Sequence, residues 1–85
     1  MSEKNSYVVE RVQTGFRMEK RMLKVLKALA EYHDLALGDL MEGIVLHAFE
    51  GKLPFGEESL ARIDDLKRIY GFTLTAAASH QLSEQ

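Results

Sequence analysis

The sequence contains no cysteine, which excludes disulfides and thiolate metal sites. Its three histidines, His33, His47 and His80, lie far apart and show no ligand spacing, so neither a metal nor a cofactor is expected. The one proline, Pro54, marks the one hard break in the chain. No apolar run approaches the ~20 residues of a membrane span. The polar start, Met1 to Ser6, carries no signal-peptide pattern. A cytoplasmic protein with no membrane partner is expected. The serines accompany no nucleophile, base and acid set. Glu57, Glu58, Asp64 and Asp65 alternate with Arg62, Lys67 and Arg68 in the manner of ordinary helix-surface pairing. The chain is therefore not expected to be an enzyme.

What is present points to one small domain. A chain of 85 residues buries only roughly 60% of its unfolded surface when it folds alone. Without metal or disulfide, oligomerisation is the remaining source of additional core. The hydrophobic fraction of 46% argues against disorder. The net charge is −2, but it is unevenly placed. Residues 1–30 hold seven Lys and Arg against three acids, a net +4, whereas residues 31–85 hold four against ten, a net −6. This split predicts a basic end and an acidic body.

Periodicity divides the chain further. Tyr7 to Met18 alternates as a strand does, with Val12, Phe16 and Met18 on one face and Arg11, Gln13, Gly15 and Arg17 on the other. Glu19 to about His33 reads as a helix with Met22, Val25, Leu26 and Leu29 on its apolar face and Lys20, Lys24 and Lys27 opposite. Leu37 to about Glu50 reads as a second helix, apolar around most of its circumference and closed by Gly51. Gly43 in its middle costs up to ~1 kcal/mol relative to Ala, and its missing side chain would admit a second backbone. After Pro54 and Gly56, Leu60, Ile63, Leu66, Ile69 and Tyr70 form the apolar face of a third helix that ends at Gly71. The expected organisation is a polar, flexible start over 1–6, a core over 7–51, a helical extension over 52–71 and a mobile tail over 72–85. The third helix is expected to dock through Leu46, Phe49 and Leu53.

A lone strand leaves its backbone groups unpaired. Pairing with the same strand of a second copy removes that difficulty, and the same dimer covers the over-apolar second helix. The segments Val12–Met18, Glu19–Asp34 and Leu35–Ala48 in this order resemble the ribbon-helix-helix family, the Arc, MetJ and CopG group of DNA-binding repressors, over about residues 8–50. The resemblance implies a mostly helical intertwined homodimer with a two-stranded antiparallel ribbon, here extended by a third helix. It implies a core built from Val12, Phe16, Leu40, Gly43 and Ile44. It further implies that Arg11, Gln13 and Arg17 reach base edges of double-stranded DNA in the major groove. Backbone N–H groups at Leu37 and Gly38 would hold a phosphate, with Lys20, Arg21 and Lys24 as further phosphate contacts. Gly15, which removes one reading side chain, and Ala36, which stands where a capping Ser or Thr is common, depart from the family pattern. The implied function is a sequence-specific transcriptional repressor or an antitoxin-like regulator, with residues 52–85 open to a toxin or other protein. The alternative is an interaction or scaffold dimer that does not bind DNA.

Overall fold

The computed structural model describes residues 7–84; the start expected over 1–6 lies outside them. Three α-helices make up the body: α1 over Lys20–Tyr32, α2 over Leu37–Phe49 and α3 over Glu57–Tyr70, followed by a 3-10 turn over Ala76–Ala78.

Each helix boundary has a local cause. Glu19 caps α1, and its side chain accepts the Met22 backbone N–H at 2.7 Å. The helix closes where Asp34 turns to a φ of 60° and the Leu35 N–H reaches back to the Ala30 carbonyl at 2.9 Å. α2 begins at Ala36 without a side-chain cap. It ends before Gly51, whose φ of 70° suits a residue without Cβ. α3 has Glu57 and Glu58 in its first turn and Lys67 and Arg68 in its last, so its charges complement the helix dipole at both ends. Gly71, at a φ of 66°, closes it, and the Phe72 N–H donates to the Lys67 carbonyl at 2.8 Å.

α1 is the central element and packs chiefly against α3, less extensively against α2. The core is small. Leu29, Ala30 and Leu40 are buried together, with Leu26, Ile44, Phe55, Ile63 and Leu66 packed around them. Leu29, at 1% exposure, is the one large side chain fully enclosed among the described residues. Edge contacts add to this core. The Tyr32 hydroxyl donates to Glu58 at 2.6 Å, and His33 Nε2 lies 3.0 Å from Ser59 Oγ.

Two sequence expectations are corrected here. The first is the fold class. Among the described residues there is no strand and no sheet, so the ribbon-helix-helix class expected from the pattern is overturned in favour of three helices. Residues 7–18 make no backbone–backbone hydrogen bond with any other described residue. Alternation fixes which side chains share a face, but a strand also needs a partner backbone, and the described residues supply none. The second is the docking of α3. Ile63 and Leu66 enter the core against α1. Leu46, Phe49 and Leu53 do not receive the helix; they stand 65%, 82% and 84% exposed. The connection through Pro54 to Gly56 carries α3 back across α1, away from the outer side of α2.

Candidate nucleic-acid interface

The N-terminal segment and the start of α1 hold most of the basic residues, and the structure sorts them into two sets. Arginines are engaged. Arg11 forks onto the Glu42 carboxylate of α2, with Nε and Nη2 each 2.8 Å from an oxygen, and lies 3.8 Å from Asp39. This bidentate pairing holds the Glu42 carboxyl below its ordinary value and pushes the guanidinium further above its own. Arg17 pairs with the Glu84 carboxylate from the far end of the chain. Arg21 donates to the Gly71 carbonyl at 2.9 Å, tying α1 to the end of α3.

The α1 lysines form no ion pair among the described residues. Lys20, Lys24 and Lys27 follow helical spacing on α1 and are exposed. Lys24 lies 5.9 Å from the Tyr70 ring centroid, a weak cation–π contact at an exposed site. Gln13 is exposed on the segment between the two arginines and has no side-chain partner among the described residues.

At the start of α2, the backbone N–H groups of Leu37 and Gly38 find no acceptor among the described residues, as expected for the first turn of an uncapped helix. A Cβ at Gly38 would meet nothing within 4 Å, so the approach is open. Asp39 in the same turn supplies negative charge. Thus Arg11, expected to read bases, is brought beside the α2 start, expected to hold phosphate, through Asp39 and Glu42.

The residues expected to form a dimer core divide as well. Leu40 is buried, and Ile44 packs on the core within the chain. Val12 and Phe16 are 77% and 70% exposed. Gly43 has open space where its Cβ would be. Sequence reasoning missed Glu42 and Glu84 as partners of the two arginines. They lie 31 and 67 positions away, and no local pattern signals pairing at such a distance. Among the described residues, no group of His, Asp or Glu could hold a metal ion, and no helix is long and apolar enough to cross a membrane.

Compared with protein-family models, with curated proteins and with solved structures, the chain matches none. The resemblance over residues 8–50 is therefore a likeness of pattern.

Proposed function

We propose that the chain acts in the cytoplasm as a homodimeric DNA-binding regulator, a repressor or an antitoxin-like protein. In this reading the outer face of α2 and the apolar residues of the N-terminal segment meet a second copy, and Arg17, Gln13 and the α1 lysines meet DNA. One observation carries it: every residue from Tyr7 to Arg17 is exposed in the single chain, apolar and basic alike. Exposed Val12 and Phe16 call for a covering surface. Exposed basic and amide side chains beside them suit a polyanion.

The test is selection from random duplexes at near-physiological salt, with the wild type and with Arg17→Ala. The wild type should enrich a symmetric or repeated site, and Arg17→Ala should lose about 1–3 kcal/mol on it with relaxed base preference. If the wild type enriches no motif, the sequence-reading role is wrong.

A second reading has its own support. Arg11 and Arg17 both hold carboxylates of their own chain, as they would in an interaction dimer that has no use for DNA.

A further inference from the structure

The C-terminal tail returns to the basic end of the molecule. Phe72 and Leu74 are half-buried and line a pocket with Met22 of α1 and Lys67 of α3. The 3-10 turn then redirects the chain, and the Gln81 N–H donates to the Ala78 carbonyl at 3.0 Å. Past Gln81 the described residues make no backbone–backbone hydrogen bond. Leu82, Ser83 and Glu84 nonetheless lie over Arg17, Met18, Glu19 and Lys20, enclosing an open cleft of about 470 Å³. The Glu84 carboxylate meets the Arg17 guanidinium there, with Lys20 lining the same cleft.

A carboxylate on Arg17 occupies the place a phosphate or a base edge would take. The hold is weak by construction, because both partners are largely exposed and exposed pairs contribute little. It is also local in cost: releasing residues 82–84 breaks no helix.

We propose that residues 82–84 form a strap whose Glu84 carboxylate engages Arg17 and is displaced when a nucleic-acid polyanion binds. The strap sets a threshold, since the anion must compete with an intramolecular carboxylate present at high effective concentration. This inference rests on the DNA-binding reading.

The absence of native cysteine allows one nitroxide to be placed at Ser83→Cys in the full chain. In the free protein it should broaden the amide signals of residues 17–21. A saturating mixed-sequence duplex should restore them. Without a label, Glu84→Gln should bind the same duplex about two- to fivefold more tightly than wild type at low salt, the range an exposed pair allows. That gap should narrow as salt is raised toward physiological strength, where the screening length is ~8 Å. No broadening in the free protein, broadening that persists on bound duplex, or equal affinities for Glu84→Gln and wild type would each overturn the strap while leaving DNA binding intact. If neither protein binds the duplex, the DNA-binding reading itself falls, and the competition falls with it.

Discussion

Gly43 gives opposite signs for a chain that stands alone and for one whose α2 is crossed by a second copy. A Cβ at Gly43 would meet nothing within 4 Å in the single chain. In a free monomer, Gly43→Ala should therefore cost no contact and should recover the helix propensity that Gly forfeits, up to ~1 kcal/mol. For a domain of this size that corresponds to a rise of about 4–8 °C in Tm. Gly43→Leu should be nearly as favourable. If a second α2 crosses close to Gly43, the sign for Leu reverses and the gain for Ala shrinks. Leu would then overpack the crossing by about 1–3 kcal/mol, and Ala would lose part of what it gained. The assay is urea unfolding of the wild type, Gly43→Ala and Gly43→Leu at two protein concentrations a decade apart. A dimer should gain about 1.4 kcal/mol of apparent stability per tenfold increase in concentration, and Gly43→Leu should weaken that dependence. A concentration-independent midpoint that rises in both variants would refute a dimer built on α2.

Other consequences can be measured without DNA. Leu29→Ala removes the one fully enclosed large side chain among the described residues and should cost about 2–5 kcal/mol in chemical denaturation, enough to unfold much of a marginal domain. A loss under 1 kcal/mol would mean that α1 is not the centre of the core. The Glu42 carboxyl is held below its ordinary value of 4.5 by the Arg11 fork. Its contribution should be present above that pH and disappear as pH falls through the lowered value. The Arg11 Nε–H resonance should stay shifted near neutrality and collapse to the free-arginine position under strong acid; Glu42→Gln should leave it at that position at every pH.

The helices were legible from sequence because their signals are local. Apolar spacing located all three within a residue or so, and Gly51 and Gly71 were readable as stops for the same reason they appear with positive φ. The N-terminal segment was misread because alternation reports faces and says nothing of pairing. Val12 and Phe16 alternate correctly but have no partner backbone among the described residues. The stripe on α3 was visible, but its neighbour was not. Ile63 and Leu66 face α1 because the Pro54–Gly56 connection turns the helix there, a geometry that apolar spacing does not encode. Arg11 and Arg17 were readable as polar positions, whereas the acids that engage them come from distant elements.

The outward side of α2 has an evolutionary consequence. The helix enters its own chain's core through Leu40 and Ile44, while Val45, Leu46 and Phe49 stand exposed. Substitution at these exposed positions therefore leaves the interior of the single chain untouched. Selection for folding alone would let them drift toward polar residues, as ordinary surfaces do. If a surface covers them, as in the proposed dimer, the residues tolerated at 45, 46 and 49 would record its shape, and changes there would redirect association without first having to rescue the fold.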